Sequence, residues 1–399
     1  MIVHHVLPSI YEEASGPSYS VPALCGALAE AGVDTHLHVL EPLPDRRFSF
    51  SVHGYRPGLP PRRLGHAPAM RRGLIAAAQG ADILHNHSLW MMPNVYAGRA
   101  VHGTRARLVL SPRGTLQPWS LRRHRWRKCL LWLLGQRQTV LRAACIHATA
   151  ELELHAVREL GLKTPVAVIA NGVDIPAARP MPAPGNTKRL LFLGRIHPVK
   201  GVDLLIRVWS RIQSRFADWE LQIVGPDADP YVAQMRELAA AVGTQRLLFS
   251  EPAYGRDKTD LYQKATLYVL PSHTENFGMT VAESLAHGVP VITTKGAPWE
   301  GVVGHDCGWW IERTEADLED CLRHALSLPA ETLRSMGQRG RRWMERDFSW
   351  SRVGAMMHET YLWMLGGGAA PPWVDTVPQA RPQAVSSFVF RSRDQKRCA

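Results

Sequence analysis

Short β-branched or leucine-rich runs alternate with stretches of helical spacing along most of this chain, and that rhythm leaves few folds open. IVHHVL (2–7), VDTHLHVL (33–40), ADILHNH (81–87) and RLVLSP (107–112) read as strands. SYSVPALCGALAEAG (18–32), closing on Gly32, and the stretches 66–79 and 93–103 read as helices between them. Strand, crossover helix, strand is the connection of a parallel sheet, so this half is expected to be a doubly wound α/β unit. Ligands of such sheets meet the carboxyl ends of the strands, here the loops starting at Pro8, His85 and Pro112. Arg46 to Gly65, rich in Pro, Arg and Gly, reads as irregular.

IPAARPMPAPGNTK (175–188) carries four prolines and no periodicity, which marks a linker. The rhythm then resumes. RLLFLGR (189–195), WELQIVG (219–225), RLLFS (246–250), LYVLP (267–271) and VPVIT (289–293) read as strands of a second parallel sheet. Helices are expected over 200–215, 230–242, 315–328, 330–345 and 349–365. The organisation predicted is therefore a Rossmann-like domain over 1–172, a linker over 173–188 and a second Rossmann-like domain over 189–345. A helix over 346–365 would cross back to the first domain, and 366–399, which has little to bury, reads as a disordered tail.

The stretch ENFGMTVAE (275–283) is the richest in chemistry. It follows a strand ending at Pro271 and Ser272, and Gly278 permits a tight turn into the helical MTVAESLAHG. The N-terminus of that helix would offer free N–H groups and a partial positive charge to a phosphate. Inside one helix Glu275 and Glu283 would sit about 80° apart. With Glu275 in the loop, both can face one ligand and take sugar hydroxyls. A lone pair of glutamates at this spacing is common by chance, and it is the strand–Gly–helix setting that gives it weight.

Composition excludes several classes. Hydrophobic content of 45% and charged content of 21% are those of a globular protein. Six scattered cysteines form no C-x-x-C, which points to a reducing compartment and no structural zinc. MIVHHVLPSI reads as a first strand and not as a secretory signal, and no run of about 18 apolar residues is present. The net charge of +12 is unevenly placed: residues 83–150 hold eleven Lys and Arg and no Asp or Glu. Such a field favours anionic partners, whether phosphorylated substrates, acidic lipids or nucleic acid.

LLFLGRIHPVKG places Arg195 and Lys200 after the first strand of the second domain. A guanidinium and an ammonium there could stabilise the charge that builds on a departing diphosphate. With PSHTENFGMTVAE and GVPVITT downstream, and with IANGVD (169–174), IVGP (223–226) and YGRDKTDLYQKATLYVLPS (254–272), the chain resembles the retaining family-4 glycosyltransferases of the GT-B fold. The resemblance is strong across about 145–300 and weaker across 1–144. It implies two Rossmann-like doubly wound parallel-sheet domains facing a cleft. It further implies that Arg195 and Lys200 hold the donor diphosphate, Glu275 contacts the transferred sugar and Glu283 binds the ribose. Backbone amides at Gly278, Met279 and Thr280 would meet phosphate or sugar. The activity implied is retaining, metal-independent transfer of a hexose from a GDP- or UDP-type nucleotide-sugar, with no further cofactor.

Two departures from the family pattern matter. Where the family often has a Gly-Gly pair after the first strand, only Gly16 stands in ASGPSYS, as the candidate for phosphate contact there. Where it commonly has a histidine after the strand matching LVLSPRG, this chain has Arg113, whose role must be electrostatic, towards the donor or an anionic acceptor. SPRGTLQPW and GAPWEG (296–301) resemble a bacterial subgroup that builds lipopolysaccharide or exopolysaccharide, which implies a lipid-linked saccharide or lipopolysaccharide-core acceptor. HNHSLW (85–90) offers either an acceptor-sugar platform or packing, and no third ligand is spaced for a metal. The Asp227/Asp229 pair in PDADP is read with Asp229 as a helix N-cap rather than as a metal grip.

LRRHRWRKCLLWLLGQRQTVLRAA (121–144) admits two readings, an interfacial helix on an anionic membrane or a core-facing helix with a basic outer face. The location expected is cytoplasmic, with the inner face of the bacterial inner membrane as the surface the first reading would require. A GT-B-like sugar-nucleotide epimerase or phosphorylase is the alternative within enzymes. A nucleic-acid-binding module is a remote one, requiring stacking by Trp119, Trp126 and Trp132.

Overall fold

The computed structural model describes residues 1–11, 16–58, 64–122, 125–177, 187–226 and 230–376. The chain divides into two compact units, Met1–Gly172 with Trp350–Ala399, and Val173–Ser349.

The first unit runs β1 (Ile2–Val6), α1 (Gly16–Glu30), β2 (Asp34–Leu40), β3 (Ser51–Tyr55), α2 (Pro68–Gly80), β4 (Ile83–His87), α3 (Met92–Ala100) and β5 (Arg107–Ser111). It continues with α4 (Pro118–Arg122), α5 (Arg125–Leu131), a π-turn at Trp132–Gln136, α6 (Arg137–Arg142), β6 (Cys145–Ala148), α7 (Glu151–Glu159) and β7 (Val166–Val168). The second unit runs β8 (Lys188–Leu193), α8 (Val202–Ile212), β9 (Trp219–Val224), α9 (Pro230–Ala241), β10 (Leu247–Ser250), α10 (Gly255–Lys264) and β11 (Leu267–Leu270). There follow α11 (Met279–Ala286), β12 (Val291–Thr294), α12 (Gly301–Gly304), β13 (Gly308–Ile311), α13 (Glu315–Ser327) and α14 (Ala330–Asp347). α15 (Trp350–Met364) and β14 (Val374–Asp375) return to the first unit.

Both sheets are doubly wound. In the first the order is β14-β7-β6-β5-β4-β1-β2-β3, parallel except for β14. The chain builds outward from β1, then returns to lay β4 on β1's other side, so the strand order reverses between β1 and β4. In the second the order is β10-β9-β8-β11-β12-β13, and the reversal lies between β8 and β11. Helices cover both faces of the first sheet. Leu24 and Leu28 of α1 and Val353, Met357 and Tyr361 of α15 pack with Val3, Ile83 and Val109. Leu74 and Ala78 of α2 and Tyr96 and Ala97 of α3 pack with Val6, Leu84 and Leu108. In the second unit Val202, Leu205, Ile206, Trp209 and Ile212 of α8 are all buried, the three-and-four spacing of one helix face.

Three expectations change. The stretch read as irregular holds β3, which pairs in parallel with β2 at the sheet edge. Residues 121–144 do not form one helix, because Gly135 leaves helical geometry at φ 126. The segment beyond 366 is not wholly tail: Val374 and Asp375 pair with β7, and Arg158 reaches the Asp375 carboxylate at 3.1 Å. Residues 377–399, and 178–186 of the linker, lie outside the described residues.

The first sheet also buries histidines where a parallel sheet ordinarily buries aliphatic residues. His85 Nδ1 lies 2.6 Å from the Tyr361 hydroxyl and Nε2 lies 2.7 Å from Ser111 Oγ. Ser111 Oγ lies 2.7 Å from His147 Nδ1, and His147 Nε2 lies 2.9 Å from the Ile169 carbonyl. A carbonyl can only accept, so His147 Nε2–H donates and, in the neutral ring, Nδ1 accepts from Ser111. The same logic makes His85 donate to Ser111 and accept from Tyr361. One carbonyl thus sets every proton in a buried chain from α15 to the end of β7. Burial drives His147 down to about 3 and His85 well below the ordinary imidazole range, and it raises Tyr361.

Candidate active site

The loops after β8 and β11 flank the reversal point of the second sheet, where a doubly wound fold leaves a crevice for ligand. They are tied together: the His273 N–H donates to the Val199 carbonyl at 2.7 Å. Gly201, at φ 70, closes the first loop, and a Cβ there would fall on the Pro271 carbonyl oxygen of the second. Gly201→Ala is expected to destabilise this unit by about 1–3 kcal/mol from the left-handed backbone alone, with the clash adding to it. The unit's denaturation midpoint measures this, and an unchanged midpoint would refute the tight approach.

This bracing brings Lys200 and Glu275 together. Lys200 Nζ lies 2.5 Å from Glu275 Oε1, and Ser272 Oγ donates to the same oxygen at 2.6 Å. The Glu275 N–H donates to Gly296 O at 2.8 Å, and Trp299 Nε1–H donates to Phe277 O at 2.5 Å. The GAPWEG turn is therefore a brace beneath 275–278. An ammonium has three donors, so Lys200 can hold Glu275 and still reach phosphate oxygens. Arg195, on the same loop, is exposed.

Gly278, at φ 83, caps α11 in the left-handed conformation, so Met279 and Thr280 form its first turn, where N–H groups have no intrahelical carbonyl. Thr280 Oγ1 lies 2.6 Å from the buried Tyr268 hydroxyl, itself 3.1 Å from the Leu193 carbonyl at the end of β8. The Thr280 side chain is thereby held over the same strand end that launches Arg195 and Lys200.

One turn further, Glu283 is buried, with Lys258 Nζ 2.6 Å from Oε1 and Tyr262 OH 2.8 Å from Oε2. The motif reading assigned no role to Lys258, Tyr262, Tyr268 or Ser272. Lys258 and Tyr262 stand four apart on α10 and so share a face, a signal that the spacing carried. That α10 faces Glu283 is a matter of packing, and no spacing shows it.

The remaining candidates belong to the first unit. Gly16 is the exposed first residue of α1, and residues 12–15 before it lie outside the described residues. Arg113 follows β5 at φ 56, a conformation rarely adopted by a side chain of this size. Its guanidinium donates to Asn171 Oδ1, to Ser20 Oγ at 3.5 Å and to His87 Nδ1 at 3.4 Å. Burial pulls it down to about 10 although Glu153 nearby opposes the shift. Ser88 and Trp90, at the end of β4, also have positive φ. Backbone strain is thus concentrated at the carboxyl ends of β4 and β5, the edge where ligands of such sheets bind.

The platform reading of HNHSLW loses its histidines. His85, Asn86 and His87 are fully buried, and Trp90 is held by Thr115 O at 3.1 Å and packs on Trp132. Among the described residues His5, His85 and His87 bring ligand-type nitrogens within 4.8 Å of one another. Both His85 nitrogens are already engaged by Tyr361 and Ser111, so a metal there would have to break that chain. Asp227 and Asp229 lie outside the described residues.

Comparison with known proteins matches two family descriptions end to end, "Glycosyltransferase Family 4" over 14–176 and "Glycosyl transferases group 1" over 177–343. A D-inositol 3-phosphate glycosyltransferase of Salinispora tropica is 31% identical over 258 residues, 55% of this chain and 51% of the relative. One from Thermobispora bispora is 28% identical over 57% of this chain and 58% of the relative. The chain thus matches little more than half the length of these curated relatives. Among solved structures, sucrose-phosphate synthase from Thermosynechococcus elongatus superposes with a TM-score of 0.73 at 18% identity, over 92% of this chain and 100% of that one. Anabaena HepE in complex with UDP and glucose gives 0.71 at 15%, over 90% and 98%. WaaG, a glycosyltransferase involved in lipopolysaccharide biosynthesis, gives 0.68 at 16%, over 92% and 100%. These likenesses show an α/β GT-B fold.

Proposed function

We propose that this chain, matched by two glycosyltransferase family models over 14–176 and 177–343, is a family-4 glycosyltransferase that transfers a hexose from a nucleoside-diphosphate sugar to a saccharide hydroxyl with retention of configuration. The observation that carries this reading is the meeting of Lys200 and Glu275 at 2.5 Å beside the first turn of α11, at the reversal point of the second sheet. As the bond from the sugar C1 to the diphosphate oxygen breaks, negative charge grows on the phosphate, where Lys200, Arg195 and the amides of Met279 and Thr280 would receive it. The acceptor oxygen attacks C1 from the same face and its proton passes to the departing phosphate oxygen. Glu275 would hold the sugar hydroxyls, and Glu283, fixed by Lys258 and Tyr262, the ribose. Unit one would take the acceptor at the strained ends of β4 and β5, with Arg113 after β5. No metal is given a role.

For the acceptor we propose a lipid-linked saccharide or lipopolysaccharide core, in line with the SPRGTLQPW and GAPWEG motifs. A phosphorylated polyol is a second reading, favoured by the names of the Salinispora and Thermobispora relatives and by the acid-free run 83–150. One experiment tests the donor site: UDP- and GDP-sugars are screened for thermal stabilisation, and turnover is followed in Glu275→Ala with and without a chelator. The expected result is one stabilising nucleotide-sugar, nucleoside diphosphate binding retained by Glu275→Ala, transfer lost, and no effect of chelation on the native chain. Unchanged turnover in Glu275→Ala would remove that residue from the site, and activity restored only by manganese would overturn metal independence. An epimerase would turn over its nucleotide-sugar without any acceptor.

A further inference from the structure

Four histidines meet on one face of the first sheet, on three adjacent strands. His4 of β1 lies opposite His36 of β2, and His38, two residues on, lies opposite His53 of the edge strand β3. Residues two apart on a strand point to the same face, so the four rings can close a circuit. Their centroids are 4.4 Å apart from His4 to His36, 5.4 Å from His36 to His53, 4.6 Å from His53 to His38 and 5.1 Å from His38 to His4. His4 Nδ1 lies 2.9 Å from His38 Nε2, and His36 Nδ1 lies 3.2 Å from His53 Nε2. Imidazole nitrogens about 2.0–2.1 Å from one metal ion stand about 2.9–3.4 Å from their neighbours, with ring centroids about 4.5–5.2 Å apart. Both sets of spacings here are close to those of neighbouring ligands around one ion.

Two further features point to a ligand. A carboxylate can only accept, so Asp34 Oδ1, 3.2 Å from His36 Nε2, takes that N–H and leaves the Nδ1 lone pair towards His53. A carboxylate behind an imidazole is the usual outer support of a metal ligand. Burial lowers His4 to about 4 and His38 to about 2, and it lowers His53 in the same direction, so these rings carry free lone pairs at neutral pH. The charges that bear on these three rings come from other histidines and Asp34, with no Arg or Lys among the described residues. His5, His85 and His87 also stand close together, but each feels the Arg113 cation, which would repel an ion. His36 and His53 are half-buried at the sheet edge, which gives an ion a way in from solvent.

We propose that His4 Nδ1, His36 Nδ1, His38 Nε2 and His53 Nε2 bind one zinc, nickel or copper(II) ion. Four imidazoles with no thiolate suit these ions, whereas magnesium and calcium take oxygen ligands. His4 and His36 are stacked at 15° and His38 and His53 at 16°, and stacked rings cannot aim their lone pairs at one point. Binding therefore turns rings about Cβ–Cγ, a soft torsion, and exchanges the two nitrogen–nitrogen hydrogen bonds for metal bonds. Each neutral ring keeps its proton on the nitrogen facing away: His36 on Asp34, and His38 on the Tyr55 hydroxyl, 2.9 Å from its Nδ1. One ion would then fasten β3, whose residues are only partly buried, to β1 and β2. The proposal does not depend on the donor site.

Equilibrium dialysis of the untagged, chelator-washed full chain against zinc chloride, nickel chloride or magnesium chloride is the test, with thermal melts alongside. One zinc or nickel ion per chain is expected, and no magnesium. At a hundredfold excess over Kd, zinc should raise the first unit's melting temperature by about 5–10 °C. His36→Ala with His53→Ala should weaken binding about a hundredfold or more, and Asp34→Ala, which leaves all four rings, about tenfold. Asp34 is 61% exposed, so its variant keeps the fold even where the double variant does not, and melts in chelator check both. No bound zinc or nickel would overturn the proposal, as would full binding by the double variant, which would place the ion on His5, His85 and His87 or elsewhere. Binding indifferent to Asp34→Ala would equally overturn it, since His36 would then not be a supported ligand.

Discussion

Replacing Lys200 with alanine is expected to cost transfer a hundred- to a thousandfold in kcat, about 2.7–4 kcal/mol of transition-state stabilisation. The size follows from where the ammonium sits. It lies on the loop that Gly201 seals against Pro271, beside the first turn of α11, with one donor on Glu275 and the others available to a diphosphate. The substitution has a second consequence, because it removes the cation from the half-buried Glu275 carboxylate and leaves it only the Ser272 hydroxyl and its surroundings. Arg195→Ala separates the two effects. That side chain is exposed, so a comparable loss of kcat with an unchanged melting temperature would be electrostatic catalysis alone. Near-native rates in both variants would end the proposal that these cations receive the leaving group's charge.

Mild acid is expected to unfold the first unit well before the second. His4 is driven down to about 4, His5 and His147 to about 3 and His38 to about 2, in each case chiefly by burial, with neighbouring histidines or Arg113 adding to it. In the unfolded chain each titrates near its ordinary value of about 6.5. The unfolded state therefore binds more protons than the folded one below that value. The stability these rings contribute is complete above about pH 6.5 and is lost as pH falls from there towards the folded values. The slope is about 1.4 kcal/mol per pH unit for each ring that stays neutral when folded. The partners in contact do not rescue it: His4 meets His38 at 2.9 Å, His5 meets His87 at 2.9 Å, and Arg113 lies beside His87. In the second unit His287 is lowered in the same direction, again chiefly by burial. Thermal melts between about pH 7 and about pH 5 should show the first unit's transition moving down with acid. A transition that stays put would mean that these imidazoles are not held neutral.

The two sheets were legible because a buried parallel strand must be a short apolar run and its crossover a helix, and LYVL, RLLFL and WELQIV obey that rule. β1, β2 and β4 obey it less well. Their histidines look polar in one dimension and become acceptable inside only when strands distant in sequence supply each ring with a partner. β3 was missed for a related reason: at the sheet edge its burial is partial, and its five residues lie next to proline- and arginine-rich chain. The single basic helix expected over 121–144 failed at Gly135, whose backbone is set by its approach to Val95 and Arg99.

At the donor site the strand–loop–helix pattern marked Lys200, Glu275, Gly278 and Glu283, since each stands at a fixed offset from a strand end and local geometry depends on nearby residues alone. What the sequence by itself determined is thus the alternation, the strand order it makes accessible, and which residues stand at strand ends. Only the tertiary structure decided that Lys200 pairs with Glu275, 75 residues away, that Lys258 and Tyr262 orient Glu283, and that one carbonyl directs the protons of a buried histidine chain. The reason is physical: periodicity records which side of an element is buried, whereas the partner met there depends on how separate elements pack.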